Sequence, residues 1–545
     1  MSKEEMLELV KNSYDSKPKY DEIEAGVPED YEDIKTLRDL LDISYKYASI
    51  NEQLKRNLVR KRKNNEDPYY GIIGYEDYVI PATDRAIIAG HDILYVGEIG
   101  QAKTKLAETI AKNLLSKVPV IKGCLVNDIP TTLDKEHLAA LLAGEEPIRT
   151  SPEFEICKDC EEAIKNNGLD TQIVWKDGYE RYRYLLATPD ISIKDLVGQI
   201  DAIKIAKRGV EIYSIESYSP GQLLQARHGI FCIDELPVLD PRKQVALLSV
   251  LQEGRFTTGA YPVIFKPECR IIATANPIDY THAGKIIEPL FDRLRSHIHT
   301  HYPKRLEDEM AIMVQEANIP DENVFLPIFI LKILGRITQN LREHPDVNKE
   351  KGVSVRISIH ALELVLSEAF RTRSIYYDVP AIPRPSDLYA IEQAVKFELS
   401  EIDDNRENRM NLLEQVIDDS LAETAREYVE ELTNAQVSKI RDEFIDNKIF
   451  YTSQTMLGKD GESYQTQLEK FPTLKELVMK VKGKVEKEQK EFIDMLKRYN
   501  IDTRILSRED MNGEFLASVT EIVLECLRSL RPPVVDRREG GYATI

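Results

Sequence analysis

The sequence predicts an α/β domain, a parallel sheet flanked by helices, followed by helical regions, and three observations carry that prediction. An apolar run, Ile93-Leu94-Tyr95-Val96, enters a glycine-bearing loop and emerges in Lys105-Leu106-Ala107-Glu108-Thr109-Ile110-Ala111, whose apolar residues have helical spacing. A second apolar run, Ile230-Phe231-Cys232-Ile233, ends in the adjacent carboxylates Asp234 and Glu235. Between Gly71 and about Tyr302 such short strands alternate with helical stretches, the pattern of a sheet covered on both faces. Strands are expected at Ile93 to Val96, Ile230 to Ile233 and Ile271 to Ala275, with a weaker one at Val118 to Ile121.

The loop between the first strand and its helix is Gly97-Glu98-Ile99-Gly100-Gln101-Ala102-Lys103-Thr104. Gly97 and Gly100 let backbone N–H groups turn inward, and the helix N-terminus adds its positive dipole end. Such a loop cradles the phosphates of a nucleoside triphosphate, with Lys103 reaching the outer phosphates and the Thr104 hydroxyl ligating magnesium. The usual G-x-x-x-x-G-K-[ST] pattern has glycine where this chain has Ala102. The methyl narrows the loop and leaves the Lys-Thr pair in place. Ligands of an open parallel sheet bind at the carboxyl ends of its strands, where this loop lies.

Neighbouring side chains on a strand point to opposite faces, so Asp234 and Glu235 are expected to divide two tasks. Asp234 would hold the magnesium, and Glu235 would orient and polarise the attacking water. A third strand, Cys269-Arg270-Ile271-Ile272-Ala273-Thr274-Ala275-Asn276-Pro277, ends in an amide placed to help position that water. Pro289-Leu290-Phe291-Asp292-Arg293-Leu294-Arg295 then brings two arginines. Either could stabilise the transition state of a neighbouring subunit, an effect worth about 10³–10⁵ in rate; structural ion pairing is the alternative. In Gly352-Val353-Ser354-Val355-Arg356 a helix opens, and Arg356 is placed to couple movement of that helical segment to nucleotide state.

In this order these residues resemble an AAA+ ATPase of the magnesium chelatase/MoxR group. The matching stretches are Gly71-Ile72-Ile73-Gly74-Tyr75-Glu76-Asp77, the phosphate loop, Asp195-Leu196-Val197-Gly198-Gln199-Ile200-Asp201, Ile233-Asp234-Glu235-Leu236, Ala275-Asn276-Pro277 and Leu290-Phe291-Asp292-Arg293. The resemblance spans about Lys35 to Ser400 and leaves the C-terminal third poorly covered. It implies an AAA+ P-loop NTPase core with a helical lid and further helical N- and C-terminal regions. It implies Gly97 through Lys105, with Ile73, as the ATP-binding residues, Lys103 and Thr104 being Walker A. Asp234 and Glu235 become Walker B, Asn276 sensor 1, Arg293 the arginine finger and Arg356 sensor 2. It implies a ring, usually hexameric, with ATP at subunit boundaries, since an arginine acting in trans needs a heterologous, closed interface. It places an insertion near Asp190 to Glu216 and a hairpin near Arg255 to Arg270, and it implies a partner carrying a von Willebrand factor A domain.

Composition bounds the rest. A chain of 545 residues exceeds one core, and four segments are expected: a helical 1–70, an α/β 71–305 with an insertion at about 123–227, a helical lid 306–400, and a helical 401–545. Net charge of −20 speaks against a surface built to hold nucleic acid. No apolar run reaches the roughly 18 residues that span a bilayer, and the N-terminus lacks the apolar core of a signal peptide. Six scattered cysteines fit a reducing, cytoplasmic compartment. Rival readings are a nucleic-acid motor of the helicase-related branch, a nucleotide-switched scaffold and a true metal chelatase subunit.

Weaker signals complete the reading. Cys157-Lys158-Asp159-Cys160 has spacing that suits Zn2+, Cys124 lies in the same stretch, and His137 could supply a fourth ligand; ordinary reduced thiols are the alternative. The basic helix end Arg60-Lys61-Arg62-Lys63 is a solvated face or a partner site. His297, His299 and His301 alternate on an expected strand as a metal comb or an exposed face. Thr257-Thr258-Gly259-Ala260-Tyr261 resembles the loop by which enhancer-binding activators touch sigma-54, but follows Walker B instead of preceding it. Thr473 to Met495 reads as an amphipathic or coiled-coil-like arm.

Overall fold

A computed structural model of the chain describes residues 3–146, 153–200, 218–253, 256–257, 264–277, 286–319, 323–349, 352–377, 379–400, 404–429, 432–447, 449–452, 463–507, 512–538 and 540–544. The chain forms two compact units, Met1–Glu98 with Ala102–His301, and Ile99–Gln101 with Tyr302–Ile545. The expected segments 1–70 and most of 71–305 therefore belong to the first unit, and 306–400 and 401–545 to the second.

Five parallel strands organise the first unit: β1 (Ile93–Val96), β2 (Tyr182–Leu186), β3 (Ile230–Asp234), β4 (Arg270–Ala275) and β5 (Ser296–His299), in the order β5-β1-β4-β3-β2. The three central strands are buried along almost their whole length, as continuous apolar runs require when helices cover both faces. The pleat divides their side chains. Ile93, Tyr95, Ile230, Cys232 and Ile272 pack with Leu106, Ala107, Ile110 and Leu114 of helix α1 (Lys103–Leu114). Leu94, Val96, Phe231, Ile233, Ile271 and Ala273 build a second core on the opposite face. The register sets Val96 beside Ala275 and Ile233 beside Ala273, so the phosphate loop, the acid pair and Asn276 all leave the sheet at one end.

The stretch expected as an insertion, about 123–227, contributes β2 to the central sheet. Its two-residue periodicity is blurred because β2 is an edge strand and only Leu185 is buried. Val118–Ile121 is a strand, but it pairs antiparallel with Ile173–Lys176 outside the central sheet. The expected insertion near Asp190 to Glu216 shows a helix Ile193–Val197 and the antiparallel pair Gly198–Ile200 and Tyr218–Pro220; residues 201–217 lie outside the described ones. The expected hairpin is seen in its arms, Phe256–Thr257 against Ile264–Phe265. Its tip, with Thr258 to Tyr261, lies outside the described residues.

The basic helix end is an ion-paired surface. In helix Ile50–Lys63, Arg60 lies 3.9 Å from Glu24, Lys61 3.5 Å from Glu66 and Arg62 2.9 Å from Asp84, and Arg56 pairs with Glu22. The three histidines do not converge. His297 meets the Phe291 carbonyl at 3.0 Å, His299 is exposed, and His301 lies past the end of β5 against the Tyr75 ring. The second unit is helical, with α2 (Ile328–Glu343), α3 (Val355–Ala369), α4 (Arg406–Tyr428), α5 (Pro472–Arg498) and α6 (Asn512–Ser529). The expected arm is α5, and it is not free. Leu474, Val478, Val481, Val485, Phe492 and Leu496 are buried, and Gln489 accepts from Ile328 N–H (3.0 Å) and donates to the Leu326 carbonyl (3.1 Å). Its heptad stripe packs inside its own unit. No helix among the described residues is long and apolar enough to cross a membrane.

Candidate functional site

Four side chains, separated by up to 173 positions in sequence, meet at the carboxyl end of the sheet. The Lys103 ammonium donates to the Gly97 carbonyl (2.6 Å), the Glu98 carbonyl (2.7 Å) and Asn276 Oδ1 (2.9 Å). The Thr104 hydroxyl donates to Asp234 Oδ1 at 3.1 Å. The ammonium is largely withdrawn from water, with Lys103 8 % exposed, whereas Thr104 and Asp234 are half-buried. A desolvated cation beside a partly open hydroxyl–carboxylate pair is suited to charged oxygen ligands. The hard oxygen donors of Thr104 and Asp234 match what Mg2+ selects, so these residues fit that ion.

The loop is held by its backbone. Gly97 N–H donates to the Ala275 carbonyl at 3.1 Å, tying β1's exit to β4's. Gly100 sits at φ +80°, which glycine adopts without strain. Ala102 sits at φ +50°, ψ +21°, immediately before α1. The departure from the glycine pattern therefore costs more than a narrowed loop: a side chain in the left-handed region is disfavoured by about 1–2 kcal/mol. Such strain is a feature of functional loops. Ile73 is buried, Ile99 is half exposed, and Lys105 stands in the first turn of α1.

The acid pair separates by a different route from the one the pleat predicts. β3 ends at Asp234, and Glu235 leaves it at φ +56°, ψ +44° to begin a short 3-10 turn. The turn, and not strand alternation, gives the two carboxylates different surroundings. Two residues escaped the sequence reading. Thr274, fully buried on β4, donates its hydroxyl to Asp234 Oδ1 and accepts from Glu235 N–H at 3.0 Å, so one hydroxyl positions both acids. A hydroxyl inside the apolar run of β4 was the available signal. Tyr184 of β2 donates to Asp234 Oδ2 at 3.0 Å, and burial with the nearby carboxylate pushes its phenol up to about 12. Nothing local pointed to it, because β2 itself was not legible.

The arginines differ. Arg293 closes the helix Glu288–Arg293, half-buried, its guanidinium making no hydrogen bond or ion pair to a described residue. Arg295 is exposed, and its charge acts on Asp92, the carboxylate that also accepts from Ile271 N–H (2.8 Å) and pairs with Arg270 at 3.5 Å. Arg356 is exposed in the first turn of α3, in the second unit. Cys124, Cys157 and Cys160 do converge, and the fourth group among them is Asp128. His137 falls in another cluster, with Asp134 and Glu155.

The sigma-54 interaction domain, an AAA+ ATPase domain, matches residues 214–299. That stretch holds the acid pair, Asn276 and Arg293. Two curated relatives come from Bacillus subtilis. The uncharacterized protein YeaC is 26 % identical over 201 residues, covering 33 % of this chain and 58 % of its own. The ATP-dependent protease PrkA is 26 % identical over 299 residues, covering 50 % of this chain and 47 % of its own. The chain thus spans about half the length of the curated relatives it matches. A structure of the complex between subunits BchI and BchD of magnesium chelatase is similar at 19 % identity and a TM-score of 0.31, covering 45 % of this chain and 64 % of that one. A TM-score so low carries no functional weight. Strand order, loop and domain match together make this an AAA+ type α/β P-loop core accompanied by helical regions.

Proposed function

We propose that the chain binds MgATP at Gly97–Thr104 and hydrolyses it. The observation that carries this reading is the meeting of Lys103, Thr104, Asp234 and Asn276 at one end of the sheet. Lys103 binds the outer phosphates and Asn276 steadies its ammonium. Thr104 and Asp234 would hold Mg2+, which when bound neutralises charge on the phosphate oxygens. Glu235 orients the attacking water, and Thr274 fixes the backbone from which it acts. Asn276, bound to Lys103, sits where it can register the terminal phosphate. Such positioning and electrostatics supply most of the catalysis in phosphoryl transfer.

The further parts of the proposal rest on the resemblance described above. The chain works as a closed, hexameric ring in which Arg293 of one subunit faces the ATP of the next, and Arg356 senses nucleotide state. Arg293 is preferred to Arg295 because Arg295 already acts on Asp92. Turnover remodels or metal-loads a partner, which we take to be a von Willebrand factor A domain protein. Phosphate release and nucleotide binding by three variants test the core of this reading. Lys103→Ala should lose tight nucleotide binding. Glu235→Gln should bind ATP and turn it over about 10³-fold more slowly, a loss of roughly 4 kcal/mol; ordinary turnover by Glu235→Gln would sink the assignment. Arg293→Ala should hydrolyse slowly and recover activity when mixed with Glu235→Gln. A pull-down with the Glu235→Gln trap identifies the partner.

A further inference from the structure

Cys124, Asp128, Cys157 and Cys160 are arranged as two ligand pairs, one on a turn and one at a helix start. The turn follows the strand Val118–Ile121. Cys124 N–H bonds to the Ile121 carbonyl at 3.0 Å, Gly123 takes φ +86°, and Asp128 N–H donates to Cys124 Sγ at 3.3 Å. The chain then returns, with Ile121 N–H on the Asp128 carbonyl at 2.9 Å. The second pair opens the helix Lys158–Asn167, with Cys157 as its N-cap residue and Cys160 in its first turn. The positive end of that helix favours thiolate over thiol.

One ligand atom from each of Cys124, Asp128, Cys157 and Cys160 lies within 4.8 Å of all the others, and Cys124 Sγ is 4.0 Å from Cys157 Sγ. With Zn–S bonds of about 2.3 Å, sulfur atoms at the corners of a tetrahedron stand about 3.8 Å apart. The thiols are therefore already spaced as a zinc tetrahedron needs. Asp128 is completely buried, its carboxylate reaching Cys157 N–H (2.7 Å), Cys124 Sγ (3.3 Å) and Arg227 Nη1 (2.7 Å). Arg227 is itself 4 % exposed and offsets part of the negative charge that three thiolates and a carboxylate would bring to one divalent ion. Soft thiolates in a closed site select zinc over magnesium or calcium.

We infer that Cys124, Asp128, Cys157 and Cys160 form a structural zinc site that staples the 121–128 turn and the helix at Cys157 to the approach of β3. That last link is direct. Asn127 donates to the Gln225 and Arg227 carbonyls, both at 3.1 Å, and the Arg227 guanidinium holds Asp128, just ahead of the strand that carries Asp234. Binding releases the three thiol protons to solvent and needs no oxidant or reductant. The inference does not depend on ATP hydrolysis.

The test uses the full chain purified without chelator. Metal analysis should find about one zinc per chain, held through dialysis. Cys124→Ser and Cys160→Ser should each lower the zinc content at least about tenfold, while Cys526→Ser, a thiol in α6, leaves it unchanged. X-ray absorption at the zinc edge should give three sulfur ligands and one oxygen. Should the serine variants fail to fold, cobalt exchange into the natural chain decides the matter, because three thiolates produce an intense charge-transfer band. A chain that takes up neither zinc nor cobalt overturns the proposal. So does one whose cysteines are recovered as a disulfide, or a ligand set of three sulfurs and a nitrogen, which would replace Asp128 by a histidine.

Discussion

Two polar clusters in this molecule use the same ingredients to opposite ends. In the first unit Lys103, Thr104, Asp234 and Asn276 meet at the end of the sheet with all but Lys103 half open to water. In the second unit Arg373 lies 3.2 Å and Arg384 2.7 Å from the Glu514 carboxylate, with all three side chains 0 % exposed. Arg373 also donates to Asp387 at 3.0 Å, and Tyr464 donates to Glu521 at 2.8 Å beside them. Each cluster joins residues more than a hundred positions apart. The difference lies in access to water. The sealed network pairs its charges among its own members and links residues 373–387 to α6, whereas the half-open one leaves a hydroxyl and a carboxylate beside a buried cation within reach of solvent. Buried charge therefore marks a fold device in one unit and the proposed nucleotide site in the other.

The largest effect that could break this comparison is on stability. Arg384→Met strands Glu514 without one of its partners in a dry interior and should cost about 3–5 kcal/mol in urea unfolding of the second unit. Lys103→Ala, which should abolish nucleotide binding if the proposed function holds, should cost about 1 kcal/mol or less. Equal losses would erase the distinction between the clusters.

Next comes Thr274→Val, which keeps shape and removes the hydroxyl shared by Asp234 and Glu235. Turnover should fall by about 10–100-fold, or roughly 1.4–2.7 kcal/mol, with ATP affinity changed far less. A fall in affinity with turnover intact would make Thr274 a binding element only.

A pH effect of intermediate size follows from His228. It is fully buried against the Tyr47 ring, its Nδ1 2.9 Å from the Tyr47 hydroxyl. Burial, with the nearby Arg227 and Arg181 charges, holds its pKa well below the ordinary 6.5, so the folded ring stays neutral. The unfolded chain binds a proton there that the folded chain does not, and stability is lost as pH falls below 6.5. The slope is at most about 1.4 kcal/mol per pH unit. Chemical melts across this range should show a shallower decline in His228→Gln than in the natural chain.

The smallest effect is at the phosphate loop. Ala102→Gly relieves the left-handed conformation at a cost in chain entropy, for a net gain of about 0.5–1 kcal/mol. Nucleotide affinity should be kept; a loss of stability would mean that the methyl contributes contacts that outweigh its strain.

Much of the first unit was legible because its chemistry is local or its strands are fully buried. β1, β3 and β4 are continuous apolar runs, and each ends at a residue of the proposed site: Gly97, the acid pair, Asn276. β2 and β5 sit at the sheet edges, half exposed; β5 showed only in the alternation of its histidines, and the weak pattern of β2 hid Tyr184 from view. In the second unit the stripe of α5 was visible as a period but not as a destination, since the same heptad serves a free arm or an internal helix.

The chain's own order determined the strand ends, the loop that follows β1, the residue types able to handle phosphate and magnesium, and the pairing of Cys157 with Cys160 on one helix start. Those follow from periodicity, backbone freedom and short spacings, which depend only on neighbours along the chain. Tertiary structure alone decided that Thr274 governs both acids, that Glu235 turns away through a left-handed residue, and that Asp128, not His137, joins the three thiols. Each depends on which strands lie side by side and on how a loop closes, and contacts between distant residues leave no periodic trace in either partner's segment.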